Sequence, residues 1–174
     1  MDTSFILDCE TLDTRPGAVI TEIGILAVHR PDFVVIDELR LVPDLFYQID
    51  VGRSICRDTV AFHRKQGTLP ASTRGLTPVA CCVALQNFFT THAPKRVWIH
   101  GTCFDRPLLE DFFAAEGQPL PWNFGFSRDA RTLWETAFPG VKKATRPHRA
   151  IPDCMATLAD IHASLKHINA LSSF

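Results

Sequence analysis

Three strand-like segments open the chain before any helix-like segment, and this order limits the folds available to it. The apolar residues 5–7 predict a short buried strand that ends in the acids Asp8 and Glu10. Residues 19–28 and 33–41 predict two further strands, and the turn-forming residues 29–32 between them indicate an antiparallel hairpin. The chain therefore begins with strands, two of which pair directly along the sequence.

Helix-like and strand-like segments alternate in the rest of the chain. Residues 58–65 and 78–91 read as helices, and residues 96–100 form an apolar strand. Apolar residues recur at helical spacing over residues 104–113 and again after Pro152, which suits the first turn of a helix. Strands followed by interleaved helices and strands predict an α/β domain with a mixed sheet.

Length and composition favour one compact unit. The 174 residues fit a single domain, 1–174, on the usual scale of roughly 100–200 residues per domain. Hydrophobic residues make up 46% and charged residues 21%, which are globular values. No apolar run approaches the roughly 20 residues of a membrane span, and the first residues lack the basic segment of a signal peptide. We therefore expect a cytoplasmic protein with no membrane contact.

The charge balance restricts how the chain can meet a polyanion. The formal charge of −1 argues against a general nucleic-acid coat protein, so any such contact must be local. Residues 136–152 contain Lys142, Lys143, Arg146 and Arg149 and no acid. This run is either a solvated loop or a phosphate contact beside the site described next.

Asp8 and Glu10 are the first candidate functional pair. Residues at i and i+2 of a strand point to the same face, about 6–7 Å apart at Cα. Two like charges at the end of a buried strand are costly unless protons or a cation neutralise them. Oxygen ligands favour Mg²⁺ or Mn²⁺, although a solvated strand end is the simpler explanation for such a pair taken alone.

Two later segments place acids near helix starts. Asp105 follows the strand at residues 96–100 and the Gly101 turn, where it could be an acid that interacts with the helix dipole. His148 lies in the basic run five residues before Asp153, which could in turn be a helix cap. Each segment alone has a structural explanation.

Taken together, these residues resemble the motifs of the DEDDh family of 3′-to-5′ exonucleases. Asp8 and Glu10 match the first motif, Asp105 the second, and His148 with Asp153 the third. The resemblance implies a ribonuclease-H-like fold, a mixed five-stranded sheet flanked by helices. The catalytic residues would then be these same five.

Two further segments resemble phage exonucleases of the exodeoxyribonuclease-VIII-like group. Residues 59–66 are similar to the TVxWWxxQ segment of that group, and residues 128–133 are similar to its RDxRTL stretch. Phe62 and His63 stand where the group usually has paired Trp. The resemblance thus implies a bacterial or phage-encoded enzyme.

The resemblance also implies a role for each residue of the set. Asp8 would bridge two metal ions, Glu10 and Asp153 would complete the first site, and Asp105 would support the second. Two cations draw charge off the reacting phosphodiester, which otherwise repels a hydroxide. His148 would accept the proton of the attacking water, since an ordinary imidazole titrates near neutrality.

Four residues are candidates for holding the substrate. In relatives the residues after the first motif contact the terminal nucleotide, so Thr11 and Leu12 would hold the 3′-hydroxyl end. Phe62 is the candidate for base stacking, and Arg146 for phosphate contact. The other histidines are interpreted as surface or structural, with His63 and His100 set apart because they adjoin the motifs.

The leading hypothesis is a 3′-to-5′ exonuclease that uses two Mg²⁺ or Mn²⁺ ions. It would act on single-stranded or frayed DNA or RNA with a free 3′ end and release nucleoside 5′-monophosphates. One alternative is a catalytically idle nucleic-acid-binding module, which would have no need of clustered carboxylates that repel phosphate. The other is a phosphohydrolase of small nucleotides on the same fold.

Overall fold

The computed structural model describes residues 2–30 and 32–171, with only the backbone described at 170 and 171. One five-stranded sheet forms its centre. In chain order its strands are β1 (Thr3–Thr11), β2 (Ile20–His29), β3 (Val34–Leu41), β4 (Arg96–Ile99) and β5 (Ser127–Asp129). Their spatial order is β3-β2-β1-β4-β5, so β1 is central. Strand β2 pairs antiparallel with β1 and β3, whereas β4 pairs parallel with β1 and β5. The predicted ribonuclease-H-like mixed sheet is confirmed.

Six α-helices flank the sheet in the part of the chain that the structure describes. They are α1 (Leu45–Asp50), α2 (Arg57–Gln66), α3 (Pro78–His92), α4 (Thr102–Ala115), α5 (Ala130–Ala137) and α6 (Ala150–Leu171). The antiparallel hairpin of β2 and β3 is confirmed, although Pro31 of its predicted turn lies outside the described residues. No helix in the described part of the chain is both long and apolar enough to cross a membrane.

The two faces of β1 bury different cores. Phe5, Leu7 and Cys9 point into a core shared with α3 and α4. Ile6 points to the opposite face, where the core is completed by residues of β2 and α6 such as Leu26 and Cys154. Because side chains alternate along a strand, Asp8 and Glu10 continue the α6 face beyond Ile6. The sheet therefore presents both acids beneath the start of α6.

Three of these strands and α-helices were not predicted from the sequence. Helix α1 has six residues, too few to establish a helical period. Strand β5 has three residues, Ser127, Arg128 and Asp129, which have no apolar alternation and become a strand only by pairing with β4. Helix α5 follows β5 directly, capped by the Asp129 side chain.

Candidate active site

Strand β1 fixes the first two carboxylates. Asp8 pairs with Gly24 and Glu10 with Glu22 on β2, and the register shifts just after Glu10. Strand β4 pairs with the other edge of β1 only as far as Leu7. Asp8 and Glu10 therefore lie on the part of the central strand that extends beyond β4, and their side chains line a cavity.

Gly24 allows helix α6 to approach this strand closely. A Cβ at Gly24 would lie 2.7 Å from the backbone carbon of Ala150 and 2.9 Å from the nitrogen of Ile151. The Cys154 thiol donates a hydrogen bond to the Gly24 carbonyl at 3.4 Å, and the Ala150 N–H donates to Glu22 Oε2 at 3.2 Å. These contacts hold the first turn of α6, which contains Asp153, against β2 beside Asp8.

Asp105 reaches the same place from helix α4. Its carboxylate is 4% exposed, and Oδ1 accepts a hydrogen bond from the Cys9 N–H at 3.0 Å. Asp129 holds the start of α4, because its Oδ2 accepts from the Thr102 N–H at 2.8 Å and from the Thr102 hydroxyl at 3.1 Å. Asp105 thus contacts the strand between the first two acids, a stronger constraint than a dipole interaction at a helix start.

His148 completes the group from the loop before α6. One ligand atom each from Glu10, His148 and Asp153 can be chosen so that all lie within 4.8 Å of one another. His148 has a φ of +54°, a left-handed conformation that costs a non-glycine residue on the order of 1–3 kcal/mol. Its ring packs edge-on against Phe62, with centroids 4.8 Å apart. The surrounding contacts must stabilise this conformation.

Burial and mutual repulsion dominate the electrostatics of the four carboxylates. Burial, followed by the charges of Asp105 and Glu10, raises the pKa of Asp8 well above its usual value. Burial, followed by the charge of Asp153, raises the pKa of Glu10 to about 8. Burial also raises the pKa of Asp105 to about 7 and that of Asp153. The nearby cations therefore do not compensate the negative charge that the four carboxylates would have when ionised.

Asp153 gives a second sign of the same deficit. Its Oδ1 is buried and has no hydrogen-bond partner among residues 2–30 and 32–171. A buried carboxylate oxygen without a donor is costly unless a cation or a bound molecule satisfies it. The donor set is all oxygen apart from His148, which fits Mg²⁺ or Mn²⁺ better than a thiophilic metal.

The basic run before α6 is only partly a solvated loop. Arg146 donates from Nη2 to Asp160 Oδ2 at 2.6 Å and from Nη1 to the Asp153 carbonyl at 3.1 Å. Lys143 Nζ lies 3.3 Å from the same Asp160 oxygen. Two of the four cations are thus anchored to α6, whereas Lys142 is exposed.

Three of the four residues predicted to hold the substrate line the same cavity, and the fourth does not. Thr11, Phe62 and Arg146 line a cavity of about 290 Å³ together with the carboxylates and His148. Leu12 does not line it, because its side chain is 7% exposed and packs with Val19 and Leu45. Phe62 is 40% exposed, which leaves part of its ring open to a ligand.

The cavity also contains residues that received no predicted role. They are Cys9, His63, His100, Gly101, Phe104, Arg131 and Thr157. His63 Nδ1 hydrogen-bonds the Thr68 hydroxyl at 2.8 Å, and His100 Nδ1 accepts from Arg146 Nη2 at 3.1 Å. Burial lowers the pKa of His100 to about 4, so its ring is neutral near pH 7. The signals for most of these residues were their places next to motifs, in the segments 59–66 and 128–133, between Asp8 and Glu10, or between β4 and Asp105. Thr157 follows Asp153 by four residues, which places both on one face of α6.

Comparison with known proteins identifies the family. The model of the 3′-5′ exoribonuclease Rv2179c-like domain matches residues 3–167. The chain belongs to this family. That family is described as a 3′-5′ exoribonuclease domain, whereas the nearer kinship to phage enzymes stays a prediction. Among curated proteins, none matches the chain.

Solved structures share the fold of this family member. Escherichia coli exonuclease I in complex with a dT13 oligonucleotide is 15% identical, with a TM-score of 0.73, over 99% of this chain and 43% of that one. Cell-death related nuclease 4 (CRN-4) is 14% identical, with a TM-score of 0.68, over 95% of this chain and 64% of that one. The chain thus spans less than half the length of exonuclease I.

Proposed function

We propose that residues 1–174 form a single, divalent-metal-dependent exonuclease domain. It shortens RNA, and DNA less readily, from a free single-stranded or frayed 3′ end. The product would be a nucleoside 5′-monophosphate. The observation that carries this proposal is the meeting of Asp8, Glu10, Asp105 and Asp153 from three separate elements, with the pKa of each raised by burial. The family description favours RNA.

The four carboxylates would hold two Mg²⁺ or Mn²⁺ ions. When bound, such a pair draws negative charge off the reacting phosphate and makes a water molecule more acidic. The unpartnered Asp153 Oδ1 and the central Asp8 are the oxygens most in need of a cation. The charge of Arg146, which lowers the pKa of both Asp8 and Asp153, would favour their ionised, ligating forms.

His148 would act as the general base. Its ring is close enough to Glu10 and Asp153 to face a water molecule held between them and the substrate phosphate. The edge-on contact with Phe62 limits ring rotation, and the Arg146 contacts with Asp153 and Asp160 hold the loop. An imidazole placed in this way accepts the water proton as the oxygen attacks phosphorus.

The terminal nucleotide would lie between β1 and α2. Thr11 would present its backbone to the 3′-hydroxyl group, and the open part of the Phe62 ring would stack on the terminal base. Leu12 would act indirectly, by packing beneath Thr11. A 3′-phosphate would bring two further negative charges into a site that already contains four acids.

Digestion of 5′-labelled RNA and DNA tests the proposal. With Mg²⁺ or Mn²⁺, products should shorten one nucleotide at a time, and EDTA or a 3′-phosphate should stop the reaction. Efficient cutting of a circular single strand would contradict an exonuclease. Cleavage of a small nucleotide phosphodiester without cleavage of oligonucleotides would favour the phosphohydrolase alternative, and binding without any cleavage would favour the idle module.

A further inference from the structure

Two more cavities continue from the active site along the surface. The "arginine cavity" has a volume of about 310 Å³, and its charged lining residues are Glu10, Glu22, Arg40, Arg74 and Arg149. The "aromatic cavity" has a volume of about 480 Å³ and is lined by Phe46, Tyr47, Ile49, Arg74 and the acids Asp44 and Asp50. Glu10 joins the arginine cavity to the active site, and Arg74 joins it to the aromatic cavity. The three cavities are therefore consecutive.

The arginine cavity leaves positive charge available to a ligand. The Glu22 carboxylate is 6% exposed and is paired with Arg40, so these two charges offset each other. The Arg74 side chain is 80% exposed and lies 3.9 Å from Asp44, a distance at which an exposed pair is weak. Within the described residues, Arg149 forms no ion pair within 4.0 Å, although its charge acts on Glu10 and partly offsets the rise in the pKa of that carboxyl. Arg74 and Arg149 are thus the cations that a phosphate would meet.

The aromatic cavity exposes rings from a firmly held helix. Phe46 is 53% exposed and Tyr47 is 43% exposed. Helix α1 is nevertheless anchored to β2 through the buried side chain of Gln48. Its Oε1 accepts from the Ile20 N–H at 2.8 Å, and its Nε2 donates to the Ile20 carbonyl at 2.8 Å. The Arg74 guanidinium carbon lies 5.3 Å from the Phe46 ring centroid. Fixed, exposed rings beside an arginine are what single-stranded nucleic-acid sites use for stacking.

We infer that the single-stranded substrate runs from the active site through the arginine cavity onto the aromatic cavity. Phosphates 5′ of the cleaved end contact Arg149 and then Arg74, and a base farther along stacks on Phe46 or Tyr47. This inference rests on the proposed function, because it assigns the path of that substrate. The two open arginines favour local contacts with phosphates, and the alternation of cations with open rings selects an unpaired strand over a duplex.

The length dependence of cleavage tests this path. We expect the KM of the native enzyme to fall from a dinucleotide to oligomers of roughly four, six and ten nucleotides, because only the longer strands reach the aromatic cavity. Phe46→Ala and Arg74→Ala should each raise the KM of the longest RNA by about 5- to 100-fold. Both variants should cleave the dinucleotide as the native enzyme does, which also shows that they are folded. DNA of the same length should respond alike, since neither contact involves the 2′-hydroxyl.

Two matched variants control for the loss of a ring or a charge elsewhere. Phe124→Ala removes a ring that is 82% exposed, and Lys95→Ala removes an exposed cation before β4, at the opposite end of the sheet. Neither should change the KM at any length. A KM that does not depend on length, or a Phe46→Ala effect equal on the dinucleotide and the longest RNA, would overturn the path. If the native enzyme with Mg²⁺ or Mn²⁺ cleaves no oligonucleotide, the proposed function itself fails.

Discussion

Asp8 and Glu10 lie on the central strand of the sheet, whereas His148 and Asp153 lie on either side of the start of helix α6. The first pair, the strand half of the site, is held by backbone pairing between β1 and β2. The second pair, the helix half, depends on contacts made outside its own turn: Gly24 on β2 allows the approach of α6, and Asp160, farther along α6, anchors Arg146. The strand half is a local property of one element, while the helix half exists only through tertiary contacts.

The largest expected effect comes from removing a ligand of the strand half. Asp8→Asn should lower turnover by at least about 10⁴-fold, because metal-assisted stabilisation of the reacting phosphate amounts to several kcal/mol. The fold should remain, since the substitution removes a buried charge that is repelled by Asp105 and Glu10. Single-turnover kinetics at saturating Mn²⁺ and a thermal melt measure the two outcomes. Near-normal turnover would exclude Asp8 from the mechanism.

Removing the base of the helix half should cost less. His148→Ala should lower kcat by about 10²–10³-fold, within the usual range of general-base catalysis, while the metal still binds. Binding is measured as the rise in melting temperature on adding Mn²⁺, compared with the native enzyme. A loss of that rise in proportion to the loss of kcat would instead make His148 a metal ligand.

A substitution outside the site should weaken the helix half alone. Gly24→Ala would force α6 away from β2, since the new Cβ would lie 2.7 Å from the Ala150 backbone. We expect a loss of about 1–3 kcal/mol in the free energy of unfolding and about 10- to 100-fold in kcat. Urea unfolding and steady-state kinetics provide the measurements.

The neighbouring Ile25 supplies the matched control for Gly24. Its side chain is buried in the core on the opposite face of the sheet, so Ile25→Val should cost about 0.5–1.5 kcal/mol of stability. Its kcat should stay close to the native value. Equal losses of kcat in both variants would mean that the approach of α6 is not what sets the geometry of the helix half.

The smallest expected effect is a pH dependence of stability in the strand half. The pKa of Glu10 is about 8 in the folded chain against 4.5 ordinarily, so protonation favours the folded state. In EDTA the melting temperature should therefore fall as pH rises from about 6.5 to 8.5, and Asp105 adds to this fall. Glu10→Gln should flatten the curve. A fall of equal size in that variant would assign the effect to other groups.

The range of pH 6.5 to 8.5 avoids the titration of His100, which changes stability with pH in the opposite direction. The pKa of His100 is about 4 in the folded chain against 6.5 ordinarily, so its contribution to stability is present above about pH 6.5 and lost toward pH 4. Mn²⁺ should raise the melting temperature most at the alkaline end of this range. There the carboxylates are already ionised, so the metal does not have to displace their protons.

The sequence by itself determined the strands, the main helices and the shared face of Asp8 and Glu10, because apolar alternation and helical spacing depend only on neighbours along the chain. Short elements such as β5 became ordered only through pairing, so their three polar residues had no local signal. The sequence motifs also singled out His148 and Asp153 by resemblance.

Only the tertiary structure decided which of the singled-out residues meet. It buried Leu12 away from the cavity, bound Arg146 and Lys143 to Asp160, and brought His63 and His100 to the walls. It also placed Arg74 in the wall of the cavity that contains Glu10 and in the wall of the cavity that contains Phe46. Such contacts join residues far apart in the chain, and their energies depend on packing and burial that no local pattern of residue types encodes.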